Sequence, residues 1–366
     1  MIQARDHSIK LEQLAAQDLI HNFERYAKPS WSVNQMVKNY EHYTRTQENT
    51  ETGYRLLRQT FTETESHSHQ MFSNVIAQHI DKQVYDYTKS IFKTADPENH
   101  VKTGLYHLKH HGFYKTRLKV PMPIVESLKA KILDHFDSAQ DGVVEEMMKG
   151  SNTAPRQVKT EAVWLATCEE IYKISADPIL LAMVQEYLGV PPIFNTPVSF
   201  LNSFRPVKTS RELSDTAQLY HHDMHRLKFV KLFIYLTDVT METGPHVMIP
   251  GTHLNRPAPL WKDGRHTDEI IAEHGLEGKE TNIVGEAGTI FLVDTSALHK
   301  GAHPLSGSRL MAQVQYVNSL FGRPMAQSDR KVETSITSSK EHIHQAAEHV
   351  RKYAEFAGTR FMQNYI

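Results

Sequence analysis

The feature that most narrows the fold is a set of short β-prone runs after residue 190. "PIFNTPVSFLNSF", "KFVKLFIYLTDV", "TNIVGEAGTIFLVDT" and "SRLMAQVQYVNSLF" are bounded by Pro, Gly, Asn, Asp and Ser. Runs of this length and punctuation predict an all-β barrel or jelly roll. The preceding chain reads as helix. "LEQLAAQDLIHNF" places Leu11, Leu14, Ile20 and Phe23 at mostly helical spacing, and "MFSNVIAQHIDKQVYDYTKSIF" does the same with Phe72, Val75, Ile76, Ile80, Tyr87 and Ile91. Between them, "RTQENTETGYRLLRQTFTETESHSH" is polar and reads as a loop. "PMPIVESLKAKILDHFD" is a helix with Ile124, Leu128, Ile132 and Phe136 on one side. "ADPILLAMVQEYLG" is another, with Asp177 as N-cap, Pro178 in the first turn and Gly189 as its stop. The tail "SSKEHIHQAAEHVRKYAEFAG" returns to helix. The expected architecture is mainly β with flanking helices. It has a helical extension over residues 1–100, a β core over 101–325 and a helical tail over 326–366 packed on that core.

Composition excludes several partners. The formal net charge of -1 offers no broad attraction to nucleic acid or to an anionic membrane. Trp31, Trp164 and Trp261 show no spacing of a base-stacking platform. The single cysteine, Cys168, permits neither an internal disulfide nor a cysteine-rich zinc site. No window approaches the ~18 apolar residues of a membrane span, and the N-terminus lacks an apolar signal core. A soluble, cytoplasmic protein acting on a small molecule is expected, with no nucleic-acid or membrane partner.

Chemistry concentrates in "QLYHHDMHR", which holds His221, His222, Asp223 and His225. On a strand, His221, Asp223 and His225 share one face and His222 points away. Two ligands from this cluster need a third from elsewhere. His299 and His303, in "DTSALHKGAHPLSGSR", are the candidates, and Arg309 opens the strand that follows. Two imidazoles and one carboxylate form the facial triad that suits non-haem Fe(II). The open positions admit a bidentate 2-oxo acid and dioxygen, and an arginine is the planar partner for a second carboxylate. On the Arg309 strand, Met311, Gln313 and Gln315 share its face, while Leu310, Ala312, Val314 and Tyr316 form an apolar face opposite. Spacing alone leaves His221 against His225, and His299 against His303, open.

The order of "QLYHHD", "YLTDVTMETGPHVMIPGTH" and "LHKGAHPLSGSR" resembles the phytanoyl-CoA dioxygenase family of Fe(II)/2-oxoglutarate oxygenases, over roughly residues 101–320. The resemblance implies a double-stranded β-helix with flanking helices. It implies His221, Asp223 and His299 as iron ligands and Arg309 as the anchor of the 2-oxoglutarate distal carboxylate. Asn202 and Tyr235 fall where the family contacts the co-substrate. Asp223, where related halogenases have Gly or Ala, implies hydroxylation. His225, Lys231 and Gln313 are candidate substrate contacts; Lys231 reads equally well as an edge-facing lysine. The polar loops 206–217 and 254–282, with Arg211, Arg256, Lys262 and Arg265, are candidate specificity segments. His222 reads as facing outward or supporting a ligand. His342, His344 and His349 on the tail read as a solvated helix face. Two rival functions remain: a phosphohydrolase built on His222 and Asp223, and a non-catalytic β-sandwich binding module.

Overall fold

The computed structural model describes residues 10–21, 30–151, 154–160, 162–206, 209–324 and 360–361. The chain begins with helices α1 (10–21), α2 (Trp31–Thr46), α3 (Glu51–Glu63), α4 (His67–His79) and α5 (Pro97–His111). Strand β1 (Phe113–Lys119) is followed by α6 (Met122–Ala139), α7 (Val143–Met148), β2 (Gln157–Lys159), α8 (Ala162–Leu165), α9 (Glu169–Ser175) and α10 (Pro178–Leu188). The β region comprises β3 (Ile193–Ser203), β4 (Phe229–Tyr235), β5 (His246–Met248), β6 (Thr281–Ile283), β7 (Thr289–Val293), β8 (His299–Gly301) and β9 (Ser308–Val317). Short helices α11 (Ser210–Asp215) and α12 (Asp268–Glu273) interrupt it, and β10 (Arg360–Phe361) comes last.

The strands form two sheets. The large one runs β1-β7-β4-β9-β3-β10 with β2 beside β3, and the small one runs β6-β5-β8. Pairing is antiparallel except for β10, which lies parallel to Ile193 and Phe194. This is the jelly roll that the short strand runs predict, in the double-stranded β-helix form that the resemblance implies. Period-2 alternation explains how sequence divides its two faces. Val230, Leu232 and Ile234 on β4, Ile290 and Leu292 on β7, and Leu310, Ala312, Val314 and Tyr316 on β9 join the core shared with the helices. Phe233, Tyr235, Phe291, Val293 and Met311 turn inward to a second cluster with Met248 and Ile283.

Helix α10 begins and ends as its sequence predicts. Asp177 accepts from the Ile179 N–H at 2.9 Å, and Gly189 leaves the helix at φ 85°. Helices α5 and α10 pack in contact because Gly104 has no side chain: a Cβ there would stand 2.1 Å from Met183 Sδ. The "PMPIVESLKAKILDHFD" helix is α6, burying Val125, Leu128, Ile132 and Phe136. Among the described residues no helix is long and apolar enough to cross a membrane.

Two expectations fail before residue 100. The stretch read as a polar loop contains α3, capped by Thr50, whose Oγ1 accepts from the Gly53 N–H at 2.9 Å. Leu56, Leu57 and Phe61 supply a narrow buried stripe on a polar helix. The helix read from residue 71 onward stops at His79. Gln185 on α10 takes over the backbone of Gln83, accepting from its N–H at 2.8 Å and donating to its carbonyl at 3.0 Å, and holds that segment outside the helix. These N-terminal helices share the core of the large sheet through Leu19, Tyr40, Leu57 and Phe72. Polar ties run to the segment after β9: Asn49 donates to the Leu320 carbonyl at 2.9 Å, and Asn318 to Ser73 Oγ at 3.1 Å. The tail read as helical lies outside the described residues except for Arg360–Phe361.

Gly104→Ala should force Met183 off its position and destabilise the protein by about 1–3 kcal/mol, the usual cost of overpacking. Urea denaturation would register this as a lower midpoint with an unchanged slope.

Candidate metal centre

The small sheet and the chain before β4 are joined through β8, where Gly301 N–H donates to the Ala217 carbonyl at 3.0 Å and His299 forms a bridge with His221. His221 N–H donates to the His299 carbonyl at 3.0 Å, and His299 N–H returns a bond to the His221 carbonyl at 2.9 Å. This reciprocal pair sets the two imidazole rings 4.3 Å apart, centre to centre. Asp223 is not on a strand. It sits in the loop beyond the bridge, held by its N–H donating to the Thr295 carbonyl at 2.7 Å. One ligand atom from each of His221, Asp223 and His299 lies within 4.8 Å of the others.

The donor set fits a divalent metal. Each ring turns Nδ1 to the carbonyl two residues earlier, His221 to Leu219 at 2.9 Å and His299 to Ala297 at 2.9 Å. With Nδ1–H as donor, the Nε2 lone pair is left free for an ion, as backbone carbonyls do for metal-bound histidines. Burial, and next the neighbouring His299, push His221 down to about 3, and burial lowers His299. Burial alone would raise the Asp223 carboxyl, but Lys231 and then the nearby histidines hold it well below its usual range. Two neutral imidazoles and one carboxylate are the protonation states that metal binding requires.

Lys231 is buried on the inward face of β4, and its Nζ donates to Asp223 Oδ2 at 2.7 Å. The reading of Lys231 as an edge-facing, snorkelling lysine is therefore corrected. Arg309 is buried on the inner face of β9. Its Nη1 donates to the Gly244 carbonyl, and its Nη2 lies 3.4 Å from Asn202 Oδ1, directly across the β3–β9 ladder. A Cβ at Gly301 would stand 3.2 Å from that Nη2, so glycine leaves room for the guanidinium beside the minor sheet. The hydroxyl of Tyr235 is committed to the backbone, donating to the Ile283 carbonyl at 2.6 Å and accepting from the His246 N–H at 3.1 Å. Gln313 is half-buried on the Arg309 face.

The other polar residues separate clearly. His222 is buried rather than outward-facing. Its ring lies 5.5 Å from Phe61 of α3, and burial followed by Arg256 pushes it down to about 2. It thus turns away from Asp223's site, and the pair lies on a loop, unlike the helical His-Asp pair a phosphohydrolase needs. Arg256 is not a substrate-facing loop residue. It is buried, stacked 4.0 Å over Trp261 and 5.4 Å from Phe61, and donates to the Ser296 carbonyl. His303 bonds Gln218 at 3.0 Å, outside the triad. Arg211 and Lys262 are exposed. His342, His344 and His349 lie outside the described residues. One inward residue escaped sequence reasoning. His246 of β5 is buried with its ring stacked 5.5 Å from that of His299. A single histidine in a three-residue strand carries no periodic signal that would have found it.

A jelly roll holding two imidazoles, a carboxylate and an inward arginine defines the class of non-haem iron, 2-oxoglutarate-dependent oxygenases. The phytanoyl-CoA dioxygenase (PhyH) family model matches residues 108–311, more than half of the chain, and the chain belongs to that family. No curated protein sequence matches the chain. Solved structures with a similar fold include AviO1 from Streptomyces viridochromogenes, at 14% identity, 61% coverage of this chain and 97% of that one, and a TM-score of 0.44. The non-heme alpha-ketoglutarate-dependent carbocyclase SnoK from nogalamycin biosynthesis matches at 15% identity, 64% and 92% coverage, and a TM-score of 0.47. HygX from Streptomyces hygroscopicus, with nickel and 2-oxoglutarate bound, matches at 18% identity, 61% and 88% coverage, and a TM-score of 0.41.

Stability should fall on acidification. Burial pushes His69 down to about 3 and His225 to about 4, besides His221 and His222. Between about pH 4 and 6.5 the unfolded chain takes up protons that these native rings refuse. Stability is therefore present above the unfolded pKa and lost as pH falls, by up to about 1.4 kcal/mol per pH unit for each ring. Denaturant midpoints of the metal-free protein at pH 7 and pH 5.5 test this; equal midpoints would mean that the rings are not held neutral.

Proposed function

We propose that this chain hydroxylates a C–H bond of a small polar metabolite, with His221, Asp223 and His299 as the iron ligands and Arg309 as the anchor for the distal carboxylate of 2-oxoglutarate. The observation that carries the reading is the convergence of the three ligand atoms within 4.8 Å with both Nδ1 atoms turned to carbonyls. When bound, the iron supplies a reaction in which one dioxygen oxidises 2-oxoglutarate to succinate and carbon dioxide and places its other oxygen atom in the substrate C–H bond. The chain supplies the frame. The carbonyls of Leu219 and Ala297 fix the two imidazoles, Lys231 orients the Asp223 carboxylate, and Arg309 with Asn202 receives the co-substrate's far end. Phe233 and Phe291, stacked 5.0 Å apart inside the barrel, keep the interior dry. Asp223 as a carboxylate ligand supports hydroxylation over halogenation.

Support for a polar or anionic substrate comes from the rim. Arg265 lies exposed, close enough for its charge to act on Asp223 and His221, and Arg323 acts likewise on His225. Residues 101–325 form the oxygenase unit in this reading, with the N-terminal helices as added cover over His222. The single cysteine, Cys168, is buried, which accords with a cytoplasmic setting.

The test is succinate release by the purified, iron-loaded protein across a panel of polar metabolites, with hydroxylated product identified by mass. Substrate-stimulated succinate that requires oxygen is expected. Asp223→Ala and His221→Ala should each abolish it and remove stoichiometric metal, while His225→Ala should retain metal. Full metal binding in His221→Ala would remove that residue from the site. Arg309→Ala should raise the KM for 2-oxoglutarate at least about 30-fold, since stripping a buried charged partner costs ~2–5 kcal/mol.

A further inference from the structure

His246 is 3% exposed, and its Nε2 has no hydrogen-bond partner among the described residues. Strand alternation turns His246 and Met248 into the barrel, while Val247 faces the outer cluster with Leu260 and Ile271. The imidazole ring centre lies 4.7 Å from that of Phe233 and 5.7 Å from that of Phe291. It also stacks on His299 at an interplanar angle of 18°.

Register places the same ring beside Arg309. Across the β5–β8 ladder, His246 pairs with Gly301, the residue whose missing side chain leaves room for the Arg309 guanidinium. The guanidinium bonds the carbonyl of Gly244, two residues before His246. The imidazole therefore stacks on a triad histidine, and its ladder partner Gly301 borders the arginine. An aromatic slot formed by Phe233 and Phe291 would be filled as well by Phe or Leu. A histidine there buries a polar nitrogen that native proteins rarely leave unpaired. An acceptor bound inside the barrel would satisfy that nitrogen.

We infer that His246 is a co-substrate-binding residue, its Nε2–H donating to the distal carboxylate of 2-oxoglutarate beside Arg309. The inference rests on reading Arg309 as the carboxylate anchor. It assigns His246 the tautomer protonated at Nε2, so that a neutral ring can donate without adding charge next to the metal. Two donors of different kind, one cationic and one neutral, would then select a dicarboxylic 2-oxo acid over a monocarboxylic one.

Anaerobic titration of the Fe(II)-loaded protein with 2-oxoglutarate, followed by the visible absorption of the iron–2-oxo acid chelate, tests this without turnover. His246→Leu should weaken 2-oxoglutarate binding about tenfold or more, the order expected for a lost bond to a charged group. His246→Gln, which keeps a donor at similar reach, should stay within about threefold of wild type on the same grounds. Binding of 2-oxopentanoate, which lacks the distal carboxylate, should be the same in wild type and both variants, as should Fe(II) affinity. Should His246→Leu fail to hold metal, His246→Phe keeps the ring stack and takes its place. Wild-type affinity in the Leu or Phe variant overturns the inference, as does equal weakening by Leu and Gln, which marks a packing role. Wild-type protein that binds iron but no 2-oxoglutarate overturns the proposed function instead, and the inference with it.

Discussion

The centre depends on one backbone bridge. Residues His221 and His299 are far apart in sequence, yet each donates its N–H to the other's carbonyl. An antiparallel pair of this kind leaves little freedom in the relative position of the two Cβ atoms. Each ring is then locked at Nδ1 by a carbonyl two residues back. The result is a preset pair of lone pairs, to which Asp223 adds charge from a loop pinned by Thr295. Placing ligands on rigid elements with a hydrogen-bonded support is the usual physical requirement for a precise metal site.

Around that bridge the interior is more charged than a jelly-roll core needs for stability. Lys231, Arg309 and Asp223 all lie in the barrel, and burying charges is costly unless they are paired. Lys231 is paired with Asp223, and Arg309 is only partly satisfied by Gly244 and Asn202. The incomplete pairing falls on the inner face of β9, facing the barrel. It follows the general pattern in which local polar conflicts mark functional sites rather than folding errors.

The N-terminal helices act on the site from behind. Phe61 of α3 covers His222 and joins Arg256 and Trp261 in an aromatic and cationic stack. Since His222 is covalently between His221 and Asp223, this packing restrains the segment that carries both. The helices therefore do more than lengthen the chain. Through Phe61 they pack on His222, Arg256 and Trp261.

Much of the fold was legible in the sequence where one physical rule dominates. β-prone runs punctuated by Pro, Gly, Asn, Asp and Ser marked β3, β4, β7 and β9, and capping chemistry marked both ends of α10, because these are local properties of backbone sterics. The pattern of two imidazoles, a carboxylate and a following arginine was legible too, since ligand chemistry restricts residue type. Spacing could not choose His221 over His225, nor find α3, whose apolar stripe is too thin to stand out from its polar neighbours. It could not find His246 in a strand of three residues. Only tertiary structure decided these, because each depends on what lies across the barrel: the His299 carbonyl for His221, Trp261 and His222 for Phe61, and Arg309 and His299 for His246. Sequence by itself determines which side chains can do the chemistry, and long-range hydrogen bonding and packing determine which of them meet.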